Sequence, residues 1–181
     1  MAIKMVQSDG FEKLTIRSLA SRLGVAPMSL YNHVHDKDDL LGEVVGRMLA
    51  PVWKPRAKEL DWQAWIAEAA DRLRNFLVSE PVALHVYLRQ PVVSPAAIER
   101  MSAMLEVLRK ARVNDESAAR AYAAVHTYTI GFAALQASRG RRGRTALSDP
   151  TALQLTSYTT RQQFAVGLQY LLRGIEQTID S

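Results

Sequence analysis

The side chains best suited to recognising another molecule lie close together in the sequence, between Thr15 and Lys37. An exposed helix face normally carries Lys, Glu and Arg, whereas this segment places Ser, Tyr, Asn and His at such positions. These neutral groups can form hydrogen bonds with base edges and phosphates, and an Arg or Lys beside them can neutralise a phosphate. The candidate DNA-binding residues are Thr15, Arg17, Pro27, Met28, Ser29, Tyr31, Asn32, His33 and Lys37.

Two short helices joined by a tight turn are predicted to position these side chains. The hydroxyl of Thr15 can accept a hydrogen bond from a backbone N–H one turn later, and so cap the first helix. The apolar residues that follow recur at i, i+3, i+4 and i+7, the spacing of one buried helix face. Gly24 suits the left-handed backbone often found at a helix end, and Val25 is predicted to be the buried residue of the turn. The predicted face comprises Ile16, Leu19, Ala20 and Leu23.

The second helix is predicted from Pro27 to Val34, since proline loses no hydrogen bond in the first turn of a helix. Leu30 and Val34 form its apolar side, which leaves the candidate polar residues facing outward. Asp36 can cap the helix that follows, and Lys37 at its start is well placed for a backbone phosphate. The predicted buried face of this next helix comprises Leu41, Val44, Val45 and Met48.

A tight helical hairpin with a polar face, unused on DNA, would show the same general pattern, because such hairpins recur in other proteins. The detailed string is more specific. T-x-R-x-L-A-x-x-L-G-V-x-x-x-S-L-Y-x-H-V over residues 15–34, followed by D-K-D-D-L-L over residues 36–41, resembles the DNA-binding domain of the tetracycline-repressor (TetR) family. The resemblance covers about 35 residues and implies a regulator of transcription with a helix-turn-helix reader.

The predicted first helix departs from the family pattern. Residues 1–8 form only a short helix in this interpretation, with Ile3 and Val6 as packing residues. The family usually has a longer first helix preceded by a basic arm, and both help to hold the DNA backbone. This departure puts that part of the phosphate contact in doubt, with a start of the chain upstream of Met1 as the alternative.

Composition and periodicity predict an all-α protein. The chain has 181 residues, of which 48% are hydrophobic, and no segment of convincing length has the period of a strand. We divide it into a helix-turn-helix domain, residues 1–50, and a helical ligand-binding and dimerisation domain, residues 51–181. A net charge of +5 fits a nucleic-acid partner, and the absence of Cys and of a long apolar run fits a cytoplasmic protein without a membrane partner.

The long alanine-rich helix after Asn114 and the last helix are candidates for a dimer interface, because small side chains let helix backbones approach closely. The alternative is that both helices belong only to the core of one chain. The family resemblance favours a homodimer built as a four-helix bundle, which would place two readers on a palindromic operator. The candidate interface residues are Tyr128, Phe132, Leu135, Phe164, Leu168, Leu171, Leu172 and Ile175.

The resemblance also implies a small-molecule effector, held between helices of the larger domain, that releases the protein from DNA. Tyr122, His126 and Thr129 share one face of the long helix and would place polar groups in an apolar lobe. A hydrogen-bonded core His beside a core Tyr would explain the same residues. An apolar or aromatic effector is expected. The candidate ligand-binding residues are Trp65, His85, Tyr87, Met101, Met104, Leu105, Tyr122, His126 and Thr129.

The sequence argues against a metal site, a cofactor and an enzyme. His33 and His35 have no second pair at ligand spacing, so no metal site is expected, and no cofactor is predicted. There is no glycine-rich phosphate loop and no Ser-His-acid set, which argues against an enzyme. The basic run over residues 140–145, GRRGRT, is interpreted as a solvated loop, with an additional nucleic-acid contact as the alternative. A small-molecule carrier or an activator of the same fold stays open beside the repressor.

Overall fold

The computed structural model describes residues 1–53, 61–89, 95–140 and 158–178. Within these ranges the chain forms nine α-helices and no strand, which confirms the predicted all-α class. None of the described helices is long and apolar enough to cross a membrane. The helices are α1 (Ala2–Asp9), α2 (Ile16–Leu23), α3 (Pro27–Tyr31), α4 (Lys37–Leu49), α5 (Trp62–Ser79), α6 (Pro81–Arg89), α7 (Pro95–Lys110), α8 (Asp115–Gly140) and α9 (Arg161–Glu176), with a 3₁₀ turn at Phe11–Lys13.

Local capping forms the helix-turn-helix segment as predicted. The Thr15 hydroxyl accepts a hydrogen bond from the backbone N–H of Ser18, and the Ser18 hydroxyl accepts one from the backbone N–H of Thr15, which completes a capping box. Gly24 ends α2 in the left-handed region, at φ +68°. The Asp36 carboxylate caps α4 through the backbone N–H of Asp39. The caps formed by Thr15 and Asp36 therefore determine where α2 and α4 begin, and the left-handed backbone of Gly24 determines where α2 ends.

The core of the small domain differs from the prediction at the turn. Val25 is 42% exposed, and Leu23 is similarly exposed, so neither is the buried residue expected there. Only the backbone of Val25 points inward, where its N–H donates to the carbonyl oxygen of Ala20. On α4, Met48 is half-buried and Leu49 is buried instead. The remaining predicted apolar residues of α2 and α4 are buried; they are Ile16, Leu19, Ala20, Leu41, Val44 and Val45.

The larger part of the chain packs around α8. Helix α5 lies along α8, α7 and α9 pack against the same helix, and α6 connects to α4 of the small domain. Leu73, Met104 and Val125 are among the side chains of α5, α7 and α8 that are fully buried at their common centre. Burial of such side chains contributes about 1.5–3 kcal/mol each to folding. The proposed division at residues 50 and 51 lies beside residues 54–60, which the structure does not describe, and the basic run at residues 141–145 also lies outside the described residues.

Candidate functional site

The candidate reading helix is shorter than predicted. Helix α3 ends at Tyr31 rather than Val34, and residues 32 and 33 lie in the turn that follows. The backbone N–H of His33 donates to the carbonyl oxygen of Leu30, so the turn continues the direction of the helix for two more residues. Asn32 and His33 are therefore still held by backbone hydrogen bonds, although not as residues of an α-helix.

The outward face of α3 is open to solvent, as predicted. Met28 is 74% exposed and Tyr31 48% exposed, which is unusual for side chains with this much apolar area. Leu30 is half-buried and Val34 is buried, so the opposite side of the segment is anchored in the small domain. The structure thus presents one face of a short, fixed segment; the exposed candidates on it are Pro27, Met28, Ser29, Tyr31, Asn32 and His33.

Two exposed cations flank this face. Arg17 on α2 and Lys37 at the start of α4 form no ion pair with any described residue. Arg22, by contrast, pairs with Asp9 at 2.5 Å and is already neutralised within the chain. Cations without a local carboxylate can neutralise phosphates and release counterions. The electrostatics of this surface therefore favour a polyanionic partner.

Thr15 differs from the other candidates. It is half-buried, and its hydroxyl is used in the capping box with Ser18. Its clearest role in the structure is to begin α2 and so orient Arg17, two residues later.

Four polar side chains of the larger lobe form one cluster. The Tyr87 hydroxyl and the His126 Nε2 atom are 2.7 Å apart, and the Tyr122 ring stacks on the His126 ring at a centroid distance of 5.2 Å. The Arg100 guanidinium lies over the Tyr87 ring, 5.2 Å from its centroid. Sequence reasoning found the two tyrosines and His126 but missed Arg100. Its signal was its spacing, because Arg100 lies four and eight residues before Met104 and Leu108, on the buried stripe of α7.

This cluster is electrically neutral apart from Arg100. Burial, together with the smaller effect of the nearby Arg100 charge, lowers the pKa of His126 to about 4. Burial raises the pKa of Tyr87 to about 12 and also raises the pKa of Tyr122, while the Arg100 charge opposes both changes. At neutral pH, His126 is uncharged and both phenols keep their protons.

The remaining predicted ligand-binding residues do not join this cluster. The Thr129 hydroxyl donates to the carbonyl oxygen of Val125 in its own helix, and Met104 is fully buried. Trp65 packs edge-on against Trp53 at 6.4 Å. The other three lie apart: Met101 and Leu105 are half-buried on α7, and His85 is exposed on α6.

The large cavity among the described residues lies elsewhere. It has a volume of about 680 Å³ and lies between α4, α6 and α7, with His85 as the one predicted ligand-binding residue in its lining. The Asp38 carboxylate of α4 and the Arg89 guanidinium of α6 line it and are 3.6 Å apart. A second void of about 20 Å³ adjoins Arg100 and Trp53. That void has room for about one water molecule, and of the polar cluster only Arg100 lines it.

The predicted interface residues lie mostly inside the single chain. The rings of Phe132 and Phe164 meet edge to face at 5.2 Å, and the Tyr128 hydroxyl donates to the carbonyl oxygen of Phe164 at 3.1 Å. These contacts join α8 to α9 within one protomer, as the alternative of an intrachain core expected. Leu135 is exposed, Tyr128 and Leu171 are half-buried, and the buried members are Phe132, Phe164, Leu168, Leu172 and Ile175.

The outer faces of the same two helices are not covered by the described part of the chain. On α8 the exposed residues recur with helical spacing, and on α9 Tyr170 is 66% exposed. Of these positions only Leu135 was among the predicted interface residues, because the prediction selected large apolar residues, most of which the chain uses for its own core. The exposed residues of α8 that recur with this spacing include Ala124, Thr127, Gly131 and Leu135.

Comparison with known proteins places both parts of the chain in one family. Residues 1–44 match the family described as bacterial regulatory proteins, tetR family, and residues 54–179 match the tetracyclin repressor-like C-terminal domain. The HTH-type transcriptional repressor DrrR1 of Streptomyces coeruleorubidus is 27% identical over 150 residues, which cover 82% of this chain. The chain spans 56% of the length of that relative.

Two further proteins are similar over nearly the whole chain. An HTH-type transcriptional regulator of Saccharopolyspora erythraea is 27% identical over 98% of this chain and 82% of its own length. The crystal structure of a TetR variant from Acinetobacter baumannii AYE in complex with minocycline has a TM-score of 0.70 and 26% identity, and covers 99% of this chain and 94% of that chain.

Proposed function

This chain belongs to the tetracycline-repressor family of bacterial regulatory proteins, and we propose that it is a homodimeric transcriptional repressor that a small-molecule effector releases from DNA. Residues 1–50 form the DNA-binding domain in this proposal, and residues 51–181 bind the effector and the second subunit. The protein acts in the cytoplasm and catalyses no reaction. Its partners are double-stranded DNA and one small molecule.

The observation that carries the proposal is the exposed face of α3. Tyr31 and Met28 are largely solvent-exposed on a segment whose other side is anchored by Val34. Exposing apolar area in this way lowers the solubility of a free protein, so a partner surface is the simplest reason to retain it. Tyr, Asn, Ser and His donate to and accept from base edges, and Met contacts a thymine methyl group. Arg17 and Lys37 supply the phosphate contacts beside them.

A single reader of this size binds weakly, which is the physical reason for a dimer. Each good bidentate base contact discriminates by only about 1–3 kcal/mol, and this face carries few such groups. A dimer holds two readers at a fixed separation, which doubles the base contacts. The two readers then recognise half-sites that lie about one turn of DNA apart, or a multiple of one turn. The exposed stripe of α8 around Gly131, together with Tyr170 of α9, is the surface we assign to the second subunit.

The effector site is assigned to the polar cluster around His126, and its effect on DNA binding passes through α4. Helix α4 begins at the reading face, with Lys37, and ends beside the larger lobe. A ligand that binds one arrangement of the lobe more tightly than another increases the population of that arrangement. If the two arrangements hold the two readers at different separations, ligand binding changes this separation. A coupling free energy of about 1–3 kcal/mol weakens DNA binding roughly 5-fold to 150-fold.

Selection of bound genomic fragments, followed by a gel shift on the enriched fragment, tests the proposal. We expect a rough palindrome whose affinity falls steeply as salt is raised. Replacing Tyr31 and Lys37 together by Ala should abolish retention of this fragment while the helical circular dichroism is unchanged. Lys110→Ala is the matched control, since Lys110 is an exposed cation on α7 that pairs with Glu106 on its own helix.

Two outcomes contradict the proposal. Sequence-specific binding that survives in the double variant would show that α3 is not the reader. Absence of salt-sensitive binding to every genomic fragment would favour the second candidate, a helical small-molecule carrier whose hairpin is unused on DNA. An activator of the same fold binds the same fragments and is recognised by the direction of its effect on transcription.

A further inference from the structure

Among the described residues of the larger lobe, two arginines are buried, and their surroundings differ. Arg74 is 2% exposed and lies 2.9 Å from a carboxylate oxygen of Asp71. Its guanidinium also donates to the side-chain oxygens of Gln136 and Asn75. Arg100 is 7% exposed, yet it forms no ion pair with any described residue. Of these two buried arginines, Arg74 therefore has a counter-charge and Arg100 has none among the described residues.

The neighbours of Arg100 cannot compensate its charge. Tyr87 and Tyr122 are protonated and His126 is neutral, so the side chains facing the guanidinium carry no negative charge. The Nε atoms of Arg100 and Arg74 are both buried without a hydrogen-bond partner among the described residues, so the two arginines differ in the counter-charge that only Arg74 has. A buried cation left unpaired is costly, because desolvation removes the water that would otherwise stabilise it.

A water molecule in the adjoining void does not remove this cost. The void of about 20 Å³ beside Arg100 holds about one water. A water there, even if it accepted a hydrogen bond from the guanidinium, would leave the positive charge uncompensated. A ligand that brings a negative group supplies both the acceptor and the charge.

From this contrast, and resting on the function proposed above, we infer that the effector is an organic carboxylate and that Arg100 is the residue that pairs with it. A carboxylate accepts two parallel N–H bonds from a guanidinium, and Nε is one of the donors in that arrangement. The hydroxyls of Tyr87 and Tyr122 lie close enough to the guanidinium to interact with it and can donate to the same group. The aromatic rings around the guanidinium suit a flat, apolar body attached to the carboxylate.

The position of Arg100 also gives the ligand a route to the site. The large cavity and the small void share Gly46, Ala50, Ala96 and Glu99 as lining residues, so the two spaces adjoin along α4 and α7. Three of these residues are small. Glu43 and Glu99 border the route and repel anions, so a ligand with a single negative group is favoured over one with several.

Entry of the carboxylate must widen the void, and α4 forms one of its walls. Leu49 and Trp53 line the void on the side of α4, and Arg100 lines it on the side of α7. Separating these two helices moves the element that carries Lys37 and positions the reading face. The site is therefore placed where pairing with an anion alters the DNA-binding domain.

Matched acids and amides test the inference by titration calorimetry on the full chain. The probes are benzoate, naphthoate and anthracene carboxylate, each paired with its neutral carboxamide, at one ionic strength. We expect at least one acid to bind roughly tenfold or more tightly than its amide, because hydrogen bonds to charged groups are worth more than neutral ones. Arg100→Gln should remove this preference, Arg100→Lys should keep part of it, and Arg109→Gln, which removes an exposed charge from the same helix, should leave it unchanged.

Equal affinity of acid and amide, no binding of any acid, or a preference that survives in Arg100→Gln overturns the inference. The comparison of acid with amide on the unaltered chain tests the inference even where Arg100→Gln fails to fold. A parallel gel shift separates the two proposals. Retained DNA binding without a preference for acids rejects the carboxylate and leaves the regulator intact, whereas acid binding through Arg100 without any DNA binding rejects the regulator alone.

Discussion

The indole Nε1 of Trp53 donates a hydrogen bond of 3.1 Å to the backbone carbonyl oxygen of Arg100. Trp53 follows the end of α4, where the backbone N–H of Trp53 donates to the carbonyl oxygen of Leu49. The two bonds in series connect the last turn of α4 to the N-terminal half of α7, across a separation of 47 residues. They form a direct mechanical link between the DNA-binding domain and the polar cluster of the larger lobe.

Trp53→Phe should weaken this link while keeping most of the packing. The Arg100 carbonyl oxygen would lose its indole donor in a buried position, which costs about 1–3 kcal/mol. For a protein of this size, that corresponds to a fall in Tm of about 2–4 °C per kcal/mol. Thermal unfolding measures the change, and Trp62→Phe on α5, a half-buried tryptophan, is the control. A variant as stable as the parent would indicate that the bond contributes little.

Gly24→Ala should destabilise the small domain through the backbone alone. A Cβ atom at this position meets nothing within 4 Å, so there is no steric clash, but φ is +68°. The left-handed conformation costs an L-residue about 1–2 kcal/mol. Gly174→Ala in α9, where a Cβ also meets no atom, should instead stabilise by up to about 1 kcal/mol. Chemical denaturation of both variants compares the signs, and stabilisation by Gly24→Ala would contradict the assigned conformation.

Gly167→Ala should disrupt the packing of α8 on α9. A Cβ atom there would collide with the ring and hydroxyl of Tyr128, whose hydroxyl donates to the carbonyl oxygen of Phe164. Forcing the tyrosine aside costs about 1–3 kcal/mol, as overpacking usually does. Tyr128→Phe removes the atom in closest contact and should partly rescue the stability of the double variant. Denaturant melts of the two single variants and the double variant give the coupling free energy, and strict additivity would argue against the contact.

The folded chain should gain stability as pH rises from about 4 to 6.5 because of His126. Its pKa is lowered to about 4 in the folded protein, below the value near 6.5 of the unfolded chain. Between these values the unfolded state binds a proton that the folded state does not, so stability increases with pH and levels off above about 6.5. The full effect is on the order of 1–3 kcal/mol, reduced by partial solvent screening.

Unfolding curves across this pH range for the parent and for His126→Phe measure the His126 contribution. The slope should be shallower in the variant, while His33→Gln, which alters an exposed histidine of the reader, serves as the control. An identical slope in the parent and His126→Phe would show that His126 does not titrate as described.

Contacts within a few residues were predictable from the sequence. Thr15, Gly24 and Asp36 have the roles that their types and spacing indicated, because a cap or a left-handed turn depends on atoms three or four positions away. The all-α class followed from apolar periodicity for the same reason. The resemblance of residues 15–41 to a family of DNA-binding domains agreed with the match of residues 1–44.

Which apolar side chains are buried, and against which surface, was less predictable from the sequence. Val25 and Leu23 were expected inside and lie exposed, because none of the described residues covers the turn between α2 and α3. Phe132 and Phe164 were chosen for a second subunit and instead pack against each other within one chain. An apolar stripe indicates that a face is covered but carries no information about which surface covers it.

By itself, therefore, the sequence determined the helices, their caps and the position of the reading segment, since these arise from interactions along one stretch of chain. The tertiary structure alone decided which polar groups meet. Tyr87, Arg100 and His126 lie on three different helices, and their cluster exists only because α6 and α7 both pack near α8. Whether Arg100 has a counter-charge depends on every element around it, which is why the unpaired cation at the centre of the proposed effector site could not be read from the sequence.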